Sequence, residues 1–308
     1  MIFPLPTPLL NSTPYMKKTF LLLFWTILTL EVARAQDYTF RVLATKGTSQ
    51  VKTGGAWQPL KTGAKLQTND ELKLDANAYV ALVHKSGTPL QLKEKDTYQV
   101  SALASKVGPG SSVVSKYTDF ILSSNSDEAR KNRMAATGAV TRGGDIKILL
   151  PKGKAAVYFD PAVFITWEAQ PGVTHYVLIV KDLVDTELSR QEVAGNSVVL
   201  DLGKDTYAGT PVVMVEVHTQ GSAKKSEPYA IKKVATAEYE RVKTLLADLG
   251  GRATSEDALD QYIMAGFYEQ NKLLIDAQKS YHHVLTQLPD VAEFREAYKD
   301  FLFRNKLN

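Results

Sequence analysis

Cysteine is absent from the 308-residue chain. That excludes disulfides, thiolate nucleophiles and cysteine-bound metals, and also the lipobox cysteine that tethers bacterial lipoproteins. Exported eukaryotic modules of this size usually carry disulfides, so their lack points to a bacterial envelope. An excess of one charge is missing too. Thirty-seven Lys and Arg face 33 Asp and Glu, a formal +4, too small an imbalance to attract nucleic acid. Long apolar runs are scarce. The most apolar stretch, Phe20 to Leu30, is about half of the roughly 20 residues that a membrane-spanning helix needs.

Catalytic signatures are lacking as well. The chain has no G-x-S-x-G elbow, no G-x-x-x-x-G-K-[ST] phosphate loop, no H-E-x-x-H pair and no EF-hand loop. The expectation is a protein that is not an enzyme and uses no cofactor or metal. His282-His283 resembles a metal pair, but adjacent helical residues point about 100° apart, so a solvated helix face is the better reading. His84, His175 and His218 have no sequence-local partner. Asp182, Asp185 and Glu187 read as a charged hairpin loop. Lys224-Lys225 and Lys232-Lys233 read as solvated sheet edges that guard against aggregation.

What is present begins with an export signal. Met16-Lys17-Lys18 supplies a positive start, Phe20 to Leu30 an apolar core, and Ala33-Arg34-Ala35 a small-x-small cleavage site. The expected processing places Gln36 first in a periplasmic or secreted protein, with membrane attachment only if the signal is retained. Translation from Met16 fits better than from Met1, because Met1 to Tyr15 is Pro-rich and uncharged. Cleavage removes Lys17, Lys18, Arg34 and Glu31, leaving a formal charge of about +2.

Beyond the signal (residues 1–35), periodicity divides the chain. Residues 36–106 show short alternating stretches (Tyr38, Phe40, Val42; Leu72, Leu74; Leu90, Leu92) separated by glycine-rich turns, an all-β module. Tyr79 to Val83 is continuously apolar, as in a strand buried on both faces. Residues 107–153 read as a linker with a short helix capped by Ser111-Ser112 and carrying Val113, Val114, Tyr117, Phe120 and Ile121, followed by a polar run and Gly138, Gly143 and Gly144. Residues 154–235 return to strands around Val163–Trp167, His175–Val180, Ser197–Leu202, Val212–Val217 and Tyr229–Val234. These suggest an immunoglobulin- or fibronectin-like β-sandwich. Residues 236–308 take a 3.6-residue period. Val242, Leu245, Leu246 and Leu249 form one helical face, a capping box starts at Thr254 and Asp257, and helices follow to about Gln270, from Leu273 to Leu288, and from Val291 to Arg304.

The first β-module resembles the FecR domain. The resemblance rests on Gly47-x-x-x-Val51, on Gly55-x-Trp57-x-x-Leu60-x-x-Gly63-x-x-Leu66, on Asn69-Asp70-x-Leu72, on Tyr79 to Leu82, and on Ser86-Gly87 ahead of Leu90-x-Leu92. Val51, Leu60, Leu66, Leu72 and Leu82 should then share one core. The best-known members relay signals across the inner membrane, but cleavage of the export signal would remove that role. What the resemblance implies is a ligand-sensing or scaffolding module outside the membrane. The final helices resemble a tetratricopeptide repeat at Met264-Ala265, Tyr268, Ala277, Tyr281 and Pro289, with Gln261 where the family usually has Trp. One repeat is too few to stand alone, so the unit should dock on the sandwich or on a partner.

The expected class is therefore multi-domain: an all-β FecR-like module, a β-sandwich and a small α-helical repeat module. The expected function is non-catalytic ligand binding and scaffolding in the envelope. An envelope protein or cell-wall component is the partner, and the helical repeat recruits protein. A polysaccharide-modifying enzyme with an unrecognised acid–base pair and a membrane-retained signalling regulator are the alternatives. Candidate binding residues are Trp57, Tyr79, Tyr98 and Tyr268. Trp57 reads first as a core residue; exposure beside Tyr79 or Tyr98 would instead suit glycan stacking. Trp167 reads as sandwich core.

Overall fold

Residues 38–99 form two sheets. The computed structural model describes residues 38–108, 110–124, 145–151, 156–221 and 224–307, so the export signal, its cleavage site and the glycines at 138, 143 and 144 lie outside them. The elements are β1 (Phe40–Lys46), β2 (Ser49–Thr53), β3 (Ala56–Pro59), β4 (Lys65–Leu66), β5 (Glu71–Leu74), β6 (Tyr79–His84), β7 (Pro89–Leu92) and β8 (Asp96–Gln99). They pair as one sheet of order β4-β1-β6-β7 and a second of order β3-β2-β5-β8. Alternation sends Phe40, Val42, Leu72, Leu74, Val80 and Leu82 into the core between the sheets, where Leu60 and Leu66 join them and Val51 packs against them. The module is not all-β: α1 (Val100–Lys106) closes it and puts Val100 and Leu103 into that core.

β6 is buried on both faces. Val80 and Leu82 fill the inter-sheet core, while Tyr79, Ala81 and Val83 face a second core made with helices. The first of these helices is α2 (Ser112–Ser124), at the place expected for the linker helix. It lies against the Ser86-Gly87 turn, where Ser115 Oγ donates to Ser86 O (2.7 Å) and Thr118 Oγ1 to Gly87 O (3.1 Å). Gly87 has φ +80°, and a Cβ there would overlap the Ser115 backbone. Glycine is required both for the turn and for the close approach.

The second module comprises β9 (Ala156–Tyr158), β10 (Ala162–Thr166), β11 (His175–Lys181), β12 (Glu187–Ala194), β13 (Ser197–Asp201), β14 (Val212–Thr219) and β15 (Tyr229–Lys233). A five-stranded sheet of order β12-β11-β14-β15-β9 faces the pair β10-β13. Trp167 is fully buried between them, edge-on to Tyr176 at 5.3 Å between ring centroids. The end of the expected linker belongs to this module. Ile146, Ile148 and Leu150 sit in its core, and Ile148 bridges to Trp167. β12 had no sequence signal because its pattern, Glu-Leu-Ser-Arg-Gln-Glu-Val-Ala, buries only Val193 among its eight residues.

The C-terminal region holds α3 (Thr236–Ala247), a 3-10 turn (Gly250–Thr254), α4 (Ala258–Gln270), α5 (Leu274–Gln287) and α6 (Ala292–Arg304). Asp257, expected inside a capping box, is itself the N-cap of α4 and accepts from Leu259 N. Helix α4 is buried nearly all round, from Tyr262 to Glu269 without a break. It packs against α5 and α2, and a Cβ on Gly266 would lie 3.0 Å from the Ile121 side chain. Helix α5 packs on β9 and β10, and α6 packs on β1. The helices thus form a layer shared with both β-modules, and residues from Tyr38 onward make one compact unit. Among the described residues no helix is long and apolar enough to cross a membrane.

Candidate functional site

The four expected binding residues do not converge. Trp57 is exposed at 37% and stands on β3, an edge strand exposed along its whole length. Its expected core role is therefore not what the fold gives it. Register explains the difference. Trp57 pairs with Lys52, Lys52 with Glu71, and Glu71 with Gln99, so the four share one cross-strand row. The next row toward the core side is Gln58, Val51, Leu72 and Tyr98. Successive rows face opposite ways, and Leu72 is fully buried, so the Trp57 row faces outward. Tyr98 is on the other face, its hydroxyl donating to Glu94 O at 3.0 Å.

Tyr79 is also unavailable as a surface platform. It is buried against Phe294 of α6 at 6.2 Å between ring centroids, and burial with the nearby Asp257 charge pushes its pKa far up. Around Trp57 the outward face instead carries hydrogen-bonding side chains. Lys52 Nζ sits 5.8 Å from the indole centroid and 3.4 Å from Glu71 Oε1. Gln50, Lys73 and Thr97 make the neighbouring outward row with Pro59. An exposed indole bordered by amide and charged groups can stack on an apolar ring face while its neighbours bond to hydroxyls.

Tyr268 belongs to a different place, a cavity of about 160 Å³ where the helices meet the second β-module. Its other key residues, Asp276, Asp160 and Lys279, carry no local sequence signal. Asp276, in the first turn of α5, is buried and accepts from Phe159 N (3.0 Å) and Asp160 N (2.8 Å). Burial raises its pKa to about 7; those two amides oppose the rise, the Asp160 charge adds to it and Lys279 opposes it. Asp160 accepts from Ala162 N (2.9 Å) and from Lys279 Nζ (2.6 Å). No spacing rule links residues 160 and 276; only the docking of α5 on the β9–β10 loop does.

The remaining polar clusters are structural. Asp182 accepts from Val184 N (2.9 Å) and Thr186 N (2.8 Å), which builds the β11–β12 turn. His218, expected to lack a local partner, has Glu216 at 3.0 Å. Burial pushes the Glu216 carboxyl up, but bonds from His218 and Lys181 outweigh it and hold the group below its ordinary range. His282 stays exposed on one side and stacks on Phe164 at 4.2 Å, while His283 meets Glu256 at 3.3 Å. Among the described residues no three His, Asp or Glu side chains converge to hold a metal ion.

Compared with protein-family models and with curated proteins, the chain matches none.

Proposed function

We propose that the chain is a non-catalytic bacterial envelope protein, exported to the periplasm or beyond, that binds a glycan-bearing cell-wall component through the outer sheet of its FecR-like module. The observation that carries this reading is Trp57. A tryptophan standing on an open sheet face, bordered by Lys52, Glu71, Gln50, Lys73 and Gln99, has more use in recognition than in folding. The tetratricopeptide-like helices take a different part from the recruiting arm that their resemblance implies. Their apolar faces are spent on the two β-modules, so they serve as a rigid coupler that presents the Trp57 face.

The carboxyls of Asp160 and Asp276 argue for an anchor rather than a glycosidase-type acid–base pair. Both Asp276 oxygens hold backbone amides, and both Asp160 oxygens are bonded, one to Lys279.

The test is binding of the purified protein to peptidoglycan and to envelope polysaccharides, followed by tryptophan fluorescence and sedimentation. Trp57→Ala should weaken binding by about 30-fold, the loss expected of a central aromatic contact, and leave the melting temperature unchanged. Equal binding by Trp57→Ala, or no binding to any wall polymer, overturns the reading.

A further inference from the structure

The cavity beside Tyr268 has the features of a built site. Tyr268 is nine-tenths buried and lines it, and its hydroxyl makes no hydrogen bond among the described residues. Burial, then Asp276 and Asp160, push the Tyr268 pKa far up, which keeps that hydroxyl protonated close to two carboxyls. Asp276, itself buried, also lines it, with one amide on each oxygen. A carboxylate oxygen has two acceptor positions, so each retains one. Asp160 is matched by Lys279 at 2.6 Å, whereas Asp276 has no cation within ion-pair distance among the described residues. Met264 supplies an apolar wall, and Glu256 adds an exposed carboxylate at the rim.

We infer that this cavity takes a primary alkylammonium group, with the Asp276 carboxyl and the Tyr268 hydroxyl as its acceptors and Met264 beside its alkyl chain. The size suits it, since a cavity of about 150 Å³ holds one benzene and a butylammonium ion has a similar heavy-atom count. The charge suits it, because the lining cations Lys279 and His283 are already matched by Asp160 and Glu256, which leaves the ionised form of Asp276 as the group a guest would neutralise. The acceptors select among cations, since a quaternary ammonium has no N–H to donate. The same chemistry is offered by a free amine and by a lysine-type side chain of a peptide. This site is separate from the Trp57 face and does not rest on the function proposed for it.

The experiment is calorimetric titration of the intact protein at about pH 8.5, where the Asp276 carboxyl is ionised and an alkylamine is still protonated, with n-butylammonium and with a blocked tripeptide carrying one central lysine. Neutral N-butylacetamide and tetramethylammonium are the controls. Butylammonium should bind with a Kd of about 1 mM, as fits so small a ligand, and both controls should fail. A peptide about tenfold tighter than butylammonium assigns the site to a peptide side chain; equal or weaker peptide binding assigns it to a free amine. Tyr268→Phe should weaken binding about fivefold and leave the fold intact by circular dichroism. Lys279→Met removes the cation that neutralises Asp160, so it should tighten butylammonium about fivefold, which a purely structural lysine would not do. No saturable heat from either amine up to about 20 mM, binding of N-butylacetamide as tight as that of butylammonium, or unchanged affinity in Lys279→Met overturns the inference.

Discussion

Glu269 of α4 and Arg304 of α6 face each other as a two-pronged ion pair, Nε at 3.0 Å and Nη2 at 2.9 Å from the two carboxylate oxygens. Asn305 Nδ2 adds a third donor at 2.9 Å, and the guanidinium lies 5.8 Å from the Phe120 ring centroid of α2. Glu269 is almost wholly buried. A buried pair stabilises little against an apolar replacement, but loss of one partner strands the other charge and costs about 3–5 kcal/mol. Glu269→Gln should therefore destabilise the protein by about 3 kcal/mol in urea unfolding. Glu269→Met combined with Arg304→Met should recover much of that loss. Equal losses in the single and double variants would show that the pair does not act as a unit.

Gly87 offers a second test, of close approach rather than charge. A methyl there would meet the Ser115 backbone, whereas at Gly54, also in the left-handed region at φ +68°, nothing lies within 4 Å. Gly54→Ala should cost about 1 kcal/mol, the left-handed penalty alone. Gly87→Ala should cost about 3 kcal/mol or more, because steric displacement of α2 is added. Hydrogen exchange should locate the excess in residues Ser112–Ser124.

Tyr79 to Val83 announced a doubly buried strand, and the structure uses both its faces, because a run without polar residues has no side to give to water. The helical period after Thr236 was equally legible. Trp57 departs from its expected core role because a short strand of Ala-Trp-Gln-Pro has too few residues to show which parity faces inward; only pairing with Lys52 decides it. Ile146, Ile148 and Leu150 looked like linker because the glycines before them masked a single buried stretch. Asp276 and Asp160 are 116 positions apart, and a contact made by docking one module on another leaves no local pattern to read.

Asp276 makes stability depend on pH in a direction opposite to most acids. Its pKa rises from the ordinary 3.8 to about 7 in the folded state. Between those values the folded protein holds a proton that the unfolded chain has released. Stability from this group is therefore full below about pH 4 and falls as pH rises toward 7, by about 4 kcal/mol at most. The groups that face it are Asp160, Lys279 and Tyr268. His282 opposes the trend, since burial and His283 lower its pKa and its contribution grows as pH rises toward 6.5. The clean observable is the difference between the natural protein and Asp276→Asn across pH 5 to 7.5. The natural protein should lose stability relative to the variant as pH rises; a constant difference would refute a raised Asp276 pKa.

The helical region should not fold alone. Val242, Leu259, Tyr262, Tyr281 and Phe294 are buried in a core that also contains Leu43, Tyr79, Ala81 and Val83 of the first module and Val114, Tyr117 and Ile121 of α2. Ile275 is buried in the core of the second β-module, and Gln278 Nε2 donates to Leu149 O at 3.1 Å. Cutting the chain before Thr236 bares all these surfaces at once, and each large apolar side chain so bared costs about 1.5–3 kcal/mol against the 5–15 kcal/mol by which a domain is usually stable. A Thr236–Asn308 fragment should show partial helicity, no cooperative melt, and self-association. Adding a separately expressed 36–235 fragment should restore a single sharp transition, because the missing faces then return as a partner. A sharp monomeric melt of the helical fragment alone would mean that α4 to α6 carry their own core and that docking is incidental to their folding.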